Sequence, residues 1–172
     1  ADMEIKNTVL LNNTTTYHIV AKARTASFCD LFFKVRDLYE TYIDTAEITP
    51  VRFHRNIQEG GYKKTQDYSF LHKESKVLVK DTSYSIFEKT QDMLSAFFYA
   101  RTFSNDNLTR NKRFSVPIFM DEENFDLDII YLYNEVLETK IGMINCMVFK
   151  PTMQEGRVFE DGEKMKVWIS DD

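Results

Sequence analysis

Three histidines and one acidic run are the side chains best suited to hold a metal ion or to transfer a proton. His18, His54 and His72 lie far apart, and no pair has the spacing of metal ligands. The segment Asp121–Asp128 is rich in oxygen ligands but lacks the glycine and the regular spacing of a calcium-binding loop. We therefore predict no metal site and interpret the acidic run as a solvated turn and strand face.

Motifs for covalent catalysis and for nucleotide binding are missing from the sequence. No G-x-S-x-G elbow, P-loop or dinucleotide-binding fingerprint occurs. The acids Glu122 and Glu123 are adjacent on a predicted turn, so they need not converge on one substrate. Cross-strand ion pairs explain arginines such as Arg36 and Arg52 without any ligand. We predict no catalytic residue and no cofactor, and this favours a protein that is not an enzyme.

Aromatic residues in two predicted helices are the remaining lead to a function. Ser27 and Asp30 form a capping-box pattern before the first helix. The second is predicted over Thr90–Arg101, with Thr90 as its cap and Asp92 in its first turn. Core packing would explain these aromatics, and so would an apolar ligand. The candidate ligand-binding residues are Phe28, Phe32, Phe33, Phe97, Phe98 and Tyr99.

Composition limits the class of protein. A length of 172 residues predicts one domain, and 43% hydrophobic with 28% charged residues is typical of a globular protein. The net charge of −5 offers no basic surface, so nucleic acid is not expected as a partner. No apolar run approaches the roughly 20 residues of a membrane-spanning helix, so no transmembrane segment is expected.

Alternation of apolar and polar residues predicts a mainly β fold. Aromatic residues make up 14% of the chain and favour half-buried strand positions. We predict a single domain over residues 1–172, a strongly curved antiparallel sheet that could form a half-open barrel, with two short helices packed on it. The sequence starts inside a strand pattern and stops at the turn-like Ser170-Asp171-Asp172. We therefore expect terminal strands to be missing at one or both ends.

Two cysteines, Cys29 and Cys146, lie in unrelated segments. They could pair in an oxidising compartment. Free cysteine is among the most buried residue types, so two separate buried thiols are the favoured interpretation. The pairing is left open by the sequence.

Several segments in order along nearly the whole chain resemble one family of exported bacterial proteins, the domain of unknown function 3108 (DUF3108). They include SFCDLFFKVRDLYETYID at 27–44, Gln58-Glu59-Gly60-Gly61-Tyr62, Phe149-Lys150-Pro151 and Val167-Trp168-Ile169-Ser170-Asp171-Asp172. The resemblance implies an antiparallel β domain in the periplasm or outer envelope, after removal of a signal peptide. It implies no activity and no catalytic residues.

Two functions follow as expectations. The first is a non-enzymatic envelope module that binds a lipid or an acyl chain in an apolar groove closed by the two helices. It rests on a fold-level analogy with periplasmic lipoprotein carriers. The alternative is an interaction or scaffold domain that recognises an envelope protein through an exposed sheet edge.

Overall fold

Two antiparallel sheets and one short α-helix make up the protein. The computed structural model describes residues 2–26, 33–103, 108–153 and 165–170. The first sheet contains seven strands in sequence order, β1 (Asp2–Leu11), β2 (Thr14–Arg24), β3 (Arg36–Asp44), β4 (Pro50–Glu59), β5 (Tyr62–Leu71), β6 (Lys76–Val79) and β7 (Thr82–Ser85). The second sheet has the order β11-β10-β9-β8, formed by β8 (Arg113–Met120), β9 (Glu123–Thr139), β10 (Gly142–Met153) and β11 (Val167–Ser170). The helix α1 covers Ser95–Ala100, and a 3-10 helix covers His72–Glu74.

Strands that are neighbours in the sequence are also neighbours in each sheet, so each sheet is a meander, and tight turns join β1 to β2 and β8 to β9. Asn12 and Asn13 both have positive φ between β1 and β2, and Asp121 and Glu122 do so between β8 and β9. Two consecutive residues of positive φ give a turn whose twist matches that of the flanking strands. Asparagine and aspartate tolerate this conformation better than most residues do, which explains the sequences of these turns.

A row of buried side chains crosses the first sheet. Ile19, Thr41, Phe53 and Tyr68 are register neighbours on β2 to β5, and all are at most 1% exposed. Phe119 of β8 packs edge-on against Tyr68, with ring centroids 5.3 Å apart. This aromatic contact joins the second sheet to the core of the first.

A second core lies between α1 and the four-stranded sheet. Ala96 and Ala100 of α1 share this cluster with strand residues such as Val116, Tyr131 and Phe149. A six-residue helix is not stable alone, so its position depends on this packing and on its polar contacts.

The prediction of a mainly β, antiparallel fold is confirmed, and one of the two sheets forms a half-barrel. The prediction of one sheet is wrong, because β8 to β11 form a second one. The expectation of two short packed helices is also wrong. Only one α-helix occurs in the described part of the chain, and the first predicted helix falls on residues 27–32, outside it.

The second predicted helix, Thr90–Arg101, is shortened to Ser95–Ala100 by pairing with the second sheet. The Gln91 N–H donates to Pro117 O at 2.8 Å, and the Phe119 N–H donates to Gln91 O at 3.0 Å. Residue 91 is therefore held extended beside β8 and cannot enter a helix. The predicted cap is also corrected, since the Thr90 hydroxyl donates to Phe87 O at 2.8 Å.

Candidate apolar ligand-binding site

An apolar cavity of about 90 Å³ lies between α1 and the four-stranded sheet. Each described side chain around it is hydrophobic, so none of these side chains offers a hydrogen bond to a ligand. The lining residues are Met93, Ala96, Phe97, Ala100, Ile118, Met120, Phe125, Leu127, Ile129, Phe149, Pro151, Met165, Val167 and Ile169. Such an apolar lining suits hydrocarbon.

Small residues on α1 create this space. Ala96 and Ala100 are four residues apart, so they lie on the same helical face, and both line the cavity. Larger side chains at these positions would reach toward β8 and β9, whose Ile118 and Ile129 line the opposite wall. The sequence of α1 therefore determines how much room remains above the sheet.

The start of α1 is fixed by a buried carboxylate. Asp92 is fully buried, and its Oδ1 accepts the N–H groups of Leu94 at 2.7 Å and Ser95 at 2.9 Å. Its N–H donates to Ser95 Oγ at 2.8 Å, which completes a reciprocal cap. Its Oδ2 accepts the Thr41 hydroxyl of β3 at 2.6 Å. The carboxylate thus ties the helix covering the cavity to the seven-stranded sheet.

Burial raises the pKa of Asp92 to about 6, even though the hydrogen bonds from Thr41, Ser95 and Leu94 act in the opposite direction. The desolvation cost of the charged form outweighs those bonds. The anchor of α1 therefore changes its charge in mildly acidic solution.

A groove of about 220 Å³ adjoins the cavity and shares Phe97, Val167 and Ile169 with it. It lies where β1, α1 and β11 meet, with Met3 contributed by β1 and Phe98 and Arg101 by α1 or its end. The cavity therefore borders a second space that contains polar as well as apolar side chains.

The candidate ligand-binding residues that were predicted from the sequence do not all lie at one site. Phe97 lines both spaces, and Phe98 lines the groove. Tyr99 packs edge-on against Phe103, with ring centroids 5.8 Å apart. Phe33 is 55% exposed and lies against the β4–β5 turn, where a Cβ on Gly60 would approach its ring to 2.8 Å. Phe28 and Phe32 lie outside the described residues.

Sequence reasoning missed the small side chains, and it placed Asp92 in the first turn of the helix without identifying it as the buried cap. The four-residue spacing of Ala96 and Ala100 among larger apolar residues was the available signal for a helix that leaves space. The Asp92–Ser95 spacing was the signal for a cap, since both side chains can satisfy free N–H groups. Cys146 is buried on β10, as predicted, while Cys29 lies outside the described residues.

A polar cluster away from the cavity joins the two sheets. The guanidinium of Arg55, itself 5% exposed, donates to Asp121 through Nη2 and to Gln66 Oε1 at 2.5 Å. Lys64 Nζ donates to the same Asp121 oxygen at 2.5 Å. These cations and hydrogen bonds hold the pKa of Asp121 below its ordinary value despite partial burial. Part of the acidic run is therefore paired rather than solvated, which corrects the sequence interpretation.

Neither a metal-binding cluster nor a membrane-spanning helix is found in the described ranges. No group of three or more histidine, cysteine, aspartate or glutamate side chains converges there. No helix in the same ranges is long and apolar enough to cross a membrane.

Comparison with protein-family models identifies the family of the chain. The sequence matches, over residues 1–172, the family model described as "Protein of unknown function (DUF3108)". No curated protein and no solved structure matches the chain.

Proposed function

The chain belongs to the DUF3108 family, and we propose that it is a non-enzymatic module of the bacterial cell envelope that holds an apolar, lipid-like ligand. The proposed site is the cavity between α1 and the four-stranded sheet. Its apolar lining is the observation that carries the proposal. The location in the periplasm or outer envelope is part of the proposal and rests on the family resemblance.

The energetic cost of the cavity supports a role in binding. An enclosed, unfilled cavity costs about 24 cal/mol per Å³ in core substitutions, so a space of about 90 Å³ costs at most about 2 kcal/mol. That is a sizeable part of the ~5–15 kcal/mol by which a domain is stable. Leucine at position 96 or 100 would fill the space, so alanine at both positions favours a functional use of it.

We expect Ala100→Leu to weaken binding of an apolar fluorescent dye at least about tenfold, because its side chain occupies the space needed by the ligand. Its free energy of unfolding should stay level or rise by up to about 2 kcal/mol, since the cavity is filled. Dye titration and urea denaturation measure the two effects. Ala46→Leu, at an exposed turn position, is the matched control and should bind as the wild type does.

Unchanged dye affinity in Ala100→Leu would contradict the proposed site. If the larger side chain strains the helix instead, Ala96→Leu provides an independent test from the neighbouring turn of α1. Loss of dye binding in a stable Ala96→Leu protein would support the site, whereas wild-type binding would again contradict it.

The edge strand β1 supports a second candidate, an interaction domain for an envelope protein. Three large apolar side chains of this strand are exposed, Met3 and Ile5 at 50% and Leu10 at 70%. An edge strand also presents unpaired backbone groups to which another strand can bind. A register shift between Ile5 and Asn7 interrupts the pairing of β1 with β2 and limits the length of that edge.

If β1 recognises a partner, Ile5→Lys should reduce cross-linking to a purified envelope partner at least about tenfold, because a charge replaces an apolar contact. Leu78→Lys is the control, since Leu78 is an exposed apolar residue on a strand paired on both sides. Equal cross-linking of the Ile5→Lys variant and the wild type would exclude β1 as the recognition element.

A further inference from the structure

The groove between α1, β1 and β11 runs along the edge of the four-stranded sheet. All four residues of β11 line it, namely Val167, Trp168, Ile169 and Ser170. Successive side chains of a strand point to opposite faces of the sheet, so a space above one face would touch alternate residues alone. A space lined by four consecutive residues therefore lies beside the strand, on the side to which one row of its backbone groups points.

The backbone groups on this side of β11 have no strand partner in the described ranges. β11 is the terminal strand of its sheet and pairs there with β10 alone. Across the groove, Met3 belongs to β1, which is the terminal strand of the seven-stranded sheet. The groove thus lies between the terminal strands of the two sheets, and a further strand can pair with such an edge.

The two faces of β11 give the groove one apolar and one exposed side. Val167 and Ile169 share one face of the strand, and with Phe97 of α1 they form the boundary between the groove and the apolar cavity. Trp168 and Ser170 point to the opposite face, where Trp168 is 41% exposed. A strand that enters the groove would meet apolar side chains on one face and solvent on the other. Alternating apolar and polar residues fit this environment.

Backbone chemistry favours a polypeptide over a lipid as the occupant of the groove. The free edge of a strand presents N–H donors and C=O acceptors in a row, and a second extended backbone matches this row group for group. A hydrocarbon chain would cover the same groups without bonding to them, which costs free energy. Because β11 has four residues, the matching segment pairs over about 13 Å at ~3.3 Å per residue.

We infer that the groove binds an extended segment of a partner protein, which adds beside β11 and extends the four-stranded sheet. Apolar residues at alternate positions of this segment face α1, and the polar residues between them face solvent near Trp168. This inference goes beyond the proposed apolar ligand, because it uses the backbone edge of β11 and requires no molecule in the cavity. It also differs from recognition by the exposed side chains of β1.

The test titrates the protein with an alternating peptide, acetyl-KVTVTVK-amide, and follows the fluorescence of Trp168, which is the single tryptophan of the sequence. Trp168 lines the groove, so its emission should change and then saturate. The same peptide with every central amide N-methylated keeps the side chains but loses the N–H donors. It should bind at least about tenfold more weakly, because main-chain hydrogen bonds supply the affinity of strand addition. Equal affinities of the two peptides, or unchanged emission with the first, would overturn the inference.

Amide hydrogen exchange locates the added strand. Alternate N–H groups of β11 point away from β10, and with the peptide bound they should exchange at least about tenfold more slowly. The amides of β8, at the other end of the same sheet, are the control and should not change. Unchanged exchange in β11 at saturating peptide would contradict the inference. Slow exchange in the free protein together with a dimer in sedimentation would also overturn it, because a second copy would then cover β11.

Phe98→Ala removes an aromatic side chain that lines the groove but not the cavity, so it should weaken peptide binding about tenfold. Phe87→Ala is the matched control, since Phe87 is 62% exposed and does not line the groove. Wild-type peptide affinity in a folded Phe98→Ala protein would count against the inference, and the exchange measurement decides if this variant does not fold. Dye binding tests the cavity separately. A protein that binds the dye but not the peptide would overturn this inference alone.

Discussion

Replacing Asp92 with alanine is expected to lower the free energy of unfolding by about 3 kcal/mol at pH 4.5 and by about 1 kcal/mol at pH 7. The substitution removes the cap of α1 and leaves the Thr41 hydroxyl without its buried acceptor. The loss is smaller at pH 7 because Asp92 of the wild type is charged there, and burial of this charge already lowers the stability of the wild type. Urea denaturation at both pH values measures the difference.

The sign of this dependence follows from the pKa of Asp92. In the folded protein it is about 6, above the value of 3.8 that applies in the unfolded chain. The folded state therefore binds more protons between these values, and stability falls as the pH rises through that window. Below pH 3.8 the raised pKa of Asp92 contributes about 3 kcal/mol to the free energy of unfolding. This contribution is lost as the pH rises to about 6 and above.

Asp92→Asn provides the matched control for titration. Its amide keeps the shape and can still accept the N–H groups of Leu94 and Ser95, but it carries no charge at any pH. The free energy of unfolding of the wild type, relative to that of this variant, should therefore fall by about 2 kcal/mol as the pH rises from 4.5 to 7. A constant difference across that range would contradict the account of Asp92.

The comparison of the wild type with Asp92→Asn removes the effects of the other titrating groups. Burial lowers the pKa of His72, so its contribution changes in the opposite sense, with stability lost as the pH falls below 6.5. Asp67 and Asp121 have lowered pKa values, and the stability they add is lost only as the pH falls below 3.8. These effects occur equally in Asp92→Asn and cancel in the difference.

Replacing Arg55 with alanine is expected to lower the free energy of unfolding by about 2–3 kcal/mol, because hydrogen bonds of a charged group are lost and a buried acceptor is left unsatisfied. The substitution leaves Gln66 Oε1 without its donor and removes one of the two cations that pair with Asp121. It therefore weakens the contact between the two sheets. Urea denaturation at pH 7 measures the loss. A loss below about 1 kcal/mol would show that this buried cluster does not hold the sheets together.

Arg52 supplies the comparison on the same strand. It pairs with Asp67 at 3.2 Å, and both side chains are half exposed. An exposed pair contributes only about 0–1 kcal/mol, so Arg52→Ala should change stability little. Raised salt should weaken the Arg52 pair more than the Arg55 cluster, because solvent ions screen exposed charges more strongly.

The strands could be predicted because their signal is local. Ile19, Thr41 and Phe53 recur on one face of alternating segments, and these residues line the inside of the first sheet. The short helix could not be predicted at its true length. Pairing of Gln91 with β8 depends on residues 26 or more positions away, and no local pattern at Thr90–Asp92 encodes it.

The candidate site was predictable only in its chemical character. Phe97 was expected near an apolar ligand because of its helical position, and it does line the cavity. The space itself comes from Ala96 and Ala100 facing strands that lie later in the chain. The pairing of Asp121 with Arg55 and Lys64 could not be predicted either, because these residues are 66 and 57 positions away from it in the sequence. Contacts at such separations depend on the final sheet arrangement.

Methionine methyl signals can locate an apolar ligand directly. The protein has seven methionines, and Met93, Met120 and Met165 line the cavity, whereas Met143 is 67% exposed on the β9–β10 hairpin. Titration of methyl-labelled protein with dodecanol, followed by NMR, should shift the three cavity signals and leave that of Met143 in place. Unshifted cavity signals at saturating dodecanol, or a shift confined to Met143, would contradict ligand binding between α1 and the four-stranded sheet.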